Sequence, residues 1–139
     1  MDKAQAKKVA AAAGIPVADE RVMNRFEFTS EHPLAPPYVV KPVREGSSFG
    51  VVIVKEDQSH PPQIITSEEW RYGDAVMVER YVYGRELTCG VMGDVALGVT
   101  EVVPQGHAFY DYDSKYVKGG SKHLSLIHID SADDLLWVY

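Results

Sequence analysis

The sequence has one cysteine and no excess of positive charge, and each shortage excludes a class of protein. Cys89 has no second thiol with which to form an internal disulfide, and a cysteine-based zinc site needs several thiols. The 14 Lys and Arg against 20 Asp and Glu give a net charge of −6. Sequence-independent binding of nucleic acid depends on a cationic excess, so we do not expect nucleic acid as a partner.

Long apolar runs are also missing. No stretch approaches the roughly 18 apolar residues that a membrane-spanning helix needs, and the first residues lack the apolar core of a secretory signal. With 139 residues, of which 45% are hydrophobic and 24% charged, the chain has the composition of a globular protein and the length of one domain. We therefore expect a soluble, cytoplasmic chain that does not enter a membrane.

The first predicted element is a helix over residues 3–13. Asp2 and Gln5 have the spacing of a capping box, and Gly14 can adopt the left-handed conformation that ends helices. Residues at helical spacing form the expected apolar face, and lysines form the expected polar face. The apolar set is Ala6, Val9, Ala10 and Ala13, and the polar set is Lys3, Lys7 and Lys8.

The remaining pattern is mostly that of β-strands, which predicts an α+β fold. An irregular stretch to Pro37 precedes the first strand, and a helical turn is expected over residues 66–70. The two-residue connection Gly93-Asp94 favours a β-hairpin. The predicted strands cover residues 38–41, 51–54, 75–82, 87–92 and 95–103, and a long loop follows from 105 to 121.

Residues 41–50 form the most informative segment, K-P-V-R-E-G-S-S-F-G. Glycines let backbone N–H groups approach a phosphate, adjacent hydroxyls add donors, and the lysine that ends the preceding strand adds a positive charge. The spacing is not that of a Walker loop. The alternative interpretation is an ordinary hairpin turn built from small residues.

Acidic and aromatic residues supply two further candidates. Glu79 and Glu86 flank a turn and could hold a ribose or a metal ion, or they could be solvated residues at strand ends. Residues 109–116 could form a lid or a surface loop with packed tyrosines. The five histidines have no regular spacing and predict no metal site, and Cys89 is expected to be a small buried apolar residue.

Three ordered motifs together resemble the D-alanine–D-alanine ligase family of ATP-grasp enzymes. They are K-P-x-x-E-G-S-S-x-G at 41–50, V-E-R-Y with G-R-E at 78–81 and 84–86, and F-Y-D-Y-D-S-K-Y at 109–116. The resemblance covers residues 1–124 and implies part of an ATP-grasp central domain, with antiparallel strands, short helices and a glycine-rich loop. Residues 125–139 fit no part of the family pattern. We interpret them as the artefactual end of a truncated reading frame, and a genuine structural addition is the alternative.

The resemblance also implies where ATP binds. Two lysines would hold the phosphates, residues 45–50 would cover them, residues 79–82 would pair with adenine, Glu86 would bind the ribose and Phe109 would pack on the base. The positions implied in this way are Lys3, Lys41, Glu45, Gly46, Ser48, Glu79, Arg80, Tyr81, Val82, Glu86 and Phe109.

The implied reaction joins two D-alanine molecules through an acylphosphate, for peptidoglycan precursor synthesis. Lys115 would reach the transferred phosphate, and Ser47 and Tyr116 would belong to a hydrogen-bonded triad around the first D-alanine. The family's Mg²⁺ ligands are expected in a C-terminal domain, and the triad's glutamate in an N-terminal domain, both missing here. The complete enzyme is expected to be a homodimer, and the fragment is expected to be inactive alone. Two alternatives are a different ATP-grasp carboxylate–amine ligase and a non-catalytic interaction module.

Overall fold

The computed structural model describes residues 2–46, 48–104 and 121–126. For residue 104 and residues 121–126 it describes the backbone alone. The described chain divides into two compact units. The first ends at Val82 and the second begins at Tyr83. None of the helices in the described ranges combines the length and apolar character that a membrane span requires.

The N-terminal helix α1 spans Lys3–Ala12 and begins as its sequence predicts. The Asp2 carboxylate caps it by accepting a hydrogen bond from the Gln5 backbone N–H at 3.0 Å, and Gly14 follows with a φ of 78°. The predicted division into faces is wrong, however. Lys7 is buried and Val9 is 63% exposed. The face of α1 that carries Lys7 is directed toward the sheet, where the ammonium group forms ion pairs with Glu20 and Glu79.

The first unit is built around a four-stranded antiparallel sheet in the order β1-β4-β2-β3. The strands are β1 Glu20–Asn24, β2 Tyr38–Pro42, β3 Val52–Val54 and β4 Ala75–Arg80. The predicted β2, β3 and β4 are confirmed. The prediction of irregular structure up to Pro37 is wrong, because β1 lies within it. Only Met23 of β1 is buried, so this edge strand lacks the apolar run that marks a buried strand.

One face of this sheet carries the apolar core. Apolar side chains from all four strands pack there against Ile65 and Trp70. Ile65 belongs to a 3-10 turn at Gln63–Ile65. The helical turn expected over residues 66–70 therefore lies earlier in the chain than predicted. The buried cluster consists of Met23, Tyr38, Val40, Val54, Ile65, Trp70, Val76 and Val78.

The second unit is a three-stranded antiparallel sheet in the order β5-β6-β7. The strands are β5 Glu86–Met92, β6 Val95–Pro104 and β7 Ser121–Leu126. The predicted hairpin is confirmed, and Gly93 adopts the positive φ of 61° that its turn requires. Cys89 is exposed, so the expectation of a buried thiol is wrong, because β5 from Thr88 to Met92 is exposed throughout.

Candidate functional site

The candidate site lies on the face of the first sheet opposite the apolar core. Residues directly across a strand pair share a face, and the register pairs Lys41 with Met77 and Val39 with Glu79. On β1, Glu20 is opposite Glu79. Strand alternation therefore brings one lysine and two carboxylates to a single face, although the sequence separates them widely.

Glu79 is at the centre of this face. It is 1% exposed, and its two carboxylate oxygens are occupied by different lysines. The Lys7 ammonium donates to Oε1, and the Lys41 ammonium forms an ion pair with Oε2. A solvated Glu79 at a strand end, one alternative from the sequence, is therefore wrong.

Lys7 is a member of this cluster that sequence reasoning missed. Its ammonium donates to the Ala18 carbonyl at 2.6 Å and lies 2.9 Å from Oε2 of Glu20. The latter contact is an ion pair without hydrogen-bond geometry, since this buried oxygen has no hydrogen-bond partner among the described residues. The available clue was that Lys7 follows Lys3 by four residues and so shares its helix face.

Lys3 joins α1 to the segment between β2 and β3. Its ammonium donates to the carbonyls of Pro42, at 2.8 Å, and Glu45, and its backbone N–H donates to Val43 at 3.0 Å. Burial lowers the pKa of Lys3, and the positive charge of Lys41 lowers it further. The carboxylates of Glu45 and Asp2 act on this pKa in the opposite direction. Two lysines therefore lie at the base of one loop, and Glu79 pairs with one of them, Lys41.

The segment between β2 and β3 contains the residues that the sequence assigned to phosphate. Phe49 N–H donates to Gly46 at 3.1 Å and Val51 N–H donates to Ser48 at 3.3 Å. Gly50 has a φ of +70°, and a Cβ there would lie 2.6 Å from the Tyr72 ring, so a side chain is excluded. Glu45 and Gly46 are exposed, whereas Ser47 lies outside the described residues.

The strand end after Glu79 is held by main-chain contacts. Arg80 N–H donates to Asp19 at 2.9 Å and Tyr81 N–H to Pro37 at 3.2 Å. Tyr81 and Val82 are half-buried, and Arg80 is exposed. These residues follow Glu79 at the end of β4 and lead to the end of the first unit.

The remaining predicted residues belong elsewhere. Glu86 begins β5 in the second unit, is half-buried and is opposite Val102. The predictions for Phe109, Lys115 and Tyr116 fall outside the described residues. So does most of the tail over 125–139, whose boundary at 124 stays a prediction. In the described ranges, no three or more His, Cys, Asp or Glu residues form a group that could hold a metal ion.

The sequence is similar to a defined family. A family model described as D-ala D-ala ligase C-terminus matches residues 9–134. Relatives from Sinorhizobium fredii and Agrobacterium fabrum, both named D-alanine–D-alanine ligase, are each 83% identical over 124 residues. The match covers 89% of this chain and 40% of each relative, so the chain spans well under half the length of the curated relatives it matches.

Solved structures give the same result. A Bacillus anthracis D-alanine–D-alanine ligase, complexed with ATP, has a TM-score of 0.61 and 26% identity, covering 92% of this chain and 41% of that one. A Coxiella burnetii ligase has a TM-score of 0.56 and 30% identity, covering 73% and 32%. The predicted α+β, antiparallel ATP-grasp architecture of a partial domain is thereby confirmed. Since the family model covers most of its length, the chain belongs to the D-alanine–D-alanine ligase family.

Proposed function

We propose that this chain supplies the nucleotide-binding part of an ATP-dependent D-alanine–D-alanine ligase. The observation that carries the proposal is that Lys3 and Lys41 meet at the end of β2, where the Lys3 ammonium donates at 2.8 Å to the carbonyl of Pro42, the residue after Lys41. Two cations held beside a loop with Gly46 and Ser48 form a site suited to a polyphosphate. The Bacillus anthracis relative, complexed with ATP, supports ATP as the ligand.

The adenine contact in this proposal belongs to the main chain of residues 79–82. The Glu79 carboxylate already binds two lysines, so it is not available to the base. Arg80, Tyr81 and Val82 follow at the strand end. The N–H groups of Arg80 and Tyr81 donate to Asp19 and Pro37, so the proposed contact with adenine is made by the other main-chain groups of this segment. Glu86 is proposed for the ribose and Phe109 for the face of the base.

The proposed reaction is formation of D-alanyl-D-alanine through an acylphosphate. A carboxylate oxygen of one D-alanine attacks the γ-phosphorus of ATP and ADP leaves. The amine of a second D-alanine then attacks the acyl carbon and releases phosphate. Positioning and neutralisation of charge dominate such transfers, and Lys3, Lys41 and Lys115 are proposed to neutralise the phosphates.

The first D-alanine is proposed to lie beside Ser47 and Tyr116, as in the family pattern. Magnesium would neutralise charge on the phosphates. The described residues contain no acidic cluster that fits it, so none of them is assigned as its ligand and no step is derived through it. A homodimeric, cytoplasmic complete enzyme remains part of the proposal.

The test of nucleotide binding is calorimetric titration of the chain with ATP. Lys3→Met is expected to weaken ATP binding about ten-fold, equivalent to roughly 1.4 kcal/mol, because a phosphate contact is lost. Lys8→Met is the matched control, since Lys8 is an exposed lysine of the same helix. Absence of heat at millimolar ATP, or equal losses in both variants, would contradict the proposal.

The test of the complete reaction is a chimera. The matched 124 residues of the Sinorhizobium fredii relative are replaced by those of this chain, and D-alanyl-D-alanine is measured with a panel of acceptor amino acids. We expect the dipeptide from the chimera and none from this chain alone. Use of another acceptor in preference to D-alanine would favour a different carboxylate–amine ligase, and an inactive but folded chimera would reject the ligase function.

A further inference from the structure

The arrangement around Glu79 gives Lys7 a role that the sequence pattern did not assign. Lys7, Lys41 and Glu79 are 5%, 7% and 1% exposed, so their charges are screened little by solvent. Lys41 is the proposed phosphate contact, and Lys7 reaches the same carboxylate from α1. The two ammonium groups take different oxygens of one carboxylate.

Charge explains why the second lysine matters. Lys7 and Lys41 carry two positive charges, and Glu20 and Glu79 carry two negative ones, so the four side chains are balanced. Removal of the Lys7 charge would leave this face with an excess negative charge beside the phosphate site. Because interactions between buried charges are strong, the unbalanced Glu79 would attract the Lys41 ammonium and weaken its interaction with an anion.

Geometry gives the same conclusion. Lys7 is fixed by the Ala18 carbonyl at 2.6 Å and by Glu20 at 2.9 Å, and it holds Oε1 of Glu79. With Oε1 occupied, Oε2 is the oxygen left to Lys41. The Lys41 ammonium is thereby directed to one side of the carboxylate.

We propose that Lys7 is a positioning residue for Lys41 and acts through the Glu79 carboxylate. The role in phosphate binding rests on the proposed function, whereas the effect on Lys41 itself does not. Lys7 is not a ligand contact in this proposal. It balances and orients the carboxylate that sets the direction and effective charge of the phosphate-binding lysine.

The first experiment observes Lys41 directly. The ¹⁵Nζ resonance of its buried ammonium is assigned by its loss in Lys41→Arg, and it is then recorded in Lys7→Met and in the control Lys8→Met. We expect a shift in Lys7→Met and none in Lys8→Met. A Lys41 resonance unchanged by Lys7→Met would overturn the proposal, whether or not the chain binds ATP.

The second experiment separates positioning from a general structural effect. Lys7→Met is expected to weaken ATP about ten-fold, the size of one coupling between sites, while adenosine, which has no phosphate, is bound within two-fold as before. Lys7→Arg, which keeps the charge, should recover most of the loss. Equal weakening of ATP and adenosine would overturn the positioning role, and failure of the unchanged chain to bind ATP would instead reject the proposed function.

A charge-balanced variant covers the case in which Lys7→Met does not fold. Lys7→Met/Glu20→Gln removes one positive and one negative charge and leaves the Glu79–Lys41 pair in place. Since Oε1 of Glu79 loses its lysine in this variant too, the Lys41 resonance should still shift relative to Glu20→Gln alone. An unchanged resonance in this pair would overturn the proposal.

Discussion

The two units are both antiparallel sheets, yet their surfaces differ in an instructive way. In the first unit, a buried glutamate and two lysines occupy the face opposite the core, and the lysines are at most 7% exposed. In the second, the hairpin residues Val91, Met92, Val95 and Leu97 are 60–68% exposed. The polarity of a side chain therefore does not by itself decide whether that side chain is buried or exposed. Burial depends on what the helix and turns cover, and charges are buried where opposite charges meet them.

The largest expected effect comes from the buried carboxylate. Glu79→Gln leaves Lys7 and Lys41 without their shared partner, and removal of one partner from a buried ionic group destabilises a protein by about 3–5 kcal/mol. Urea unfolding measures this loss of free energy. Leu97→Ser, at a hairpin residue that is 62% exposed, should change it by less than about 0.5 kcal/mol. A larger effect at Leu97 than at Glu79 would reverse the comparison between the units.

The next effect compares apolar side chains in the two units. Ile65 is fully buried against the first sheet, so Ile65→Ala creates a cavity and should lower the free energy of unfolding by about 2–5 kcal/mol. Val95→Ala at the exposed hairpin is the control. Equal shifts of the urea midpoint for the two variants would contradict the difference in burial.

Ionisation of the core residue Tyr38 at alkaline pH is expected to have a smaller effect on stability. Burial raises the pKa of Tyr38 from its ordinary 10.0 to about 12, and its hydroxyl forms a hydrogen bond with His32 at 2.9 Å. Between these pH values the unfolded chain loses the proton and the folded chain keeps it, so stability falls as pH rises. Tyr38→Phe should flatten this fall, as measured by thermal unfolding from pH 9 upward. Tyr72→Phe serves as the control, and parallel curves for wild type and Tyr38→Phe would reject the interpretation.

The smallest effect is expected at the helix start. The hydrogen bond from the Gln5 backbone lowers the pKa of Asp2, and Arg44 lowers it further. The resulting stabilisation is present above the ordinary pKa of 3.8 and is lost as pH falls through the lowered value. Asp2→Asn keeps a capping acceptor but should show less loss in that acidic range. Acid unfolding followed by circular dichroism measures the change, and identical acid curves would contradict the charge effect.

Local features were predictable because local chemistry decides them. The start and end of α1 follow from an aspartate that can cap and a glycine that can take positive φ. The hairpin follows from Gly93-Asp94 between two strand-forming runs. The end of β2 at the loop was predictable for the same reason, since residues 38–41 are followed at once by turn-forming residues.

Other features were missed because their causes lie far away in the chain. The pattern of β1 is too polar to indicate a strand, and it forms because β4 pairs with it. Cys89 lies in a stretch of the hairpin, residues 88–98, that is exposed throughout, which the apolar pattern of this stretch does not indicate. Lys7 is buried because acceptors approach from Ala18, Glu20 and Glu79, which the helical pattern does not encode.

The sequence by itself determined the family, through three motifs in order, and it determined the hairpin turn and the ends of α1, because all of these depend on residue type at fixed spacing. Only the tertiary structure decided which lysine meets which oxygen of Glu79. Lys7 and Glu79 are 72 residues apart, and their contact depends on where α1 rests on the sheet and on the strand register. Burial of both groups then makes the ionic contact strong, because little solvent remains to screen it.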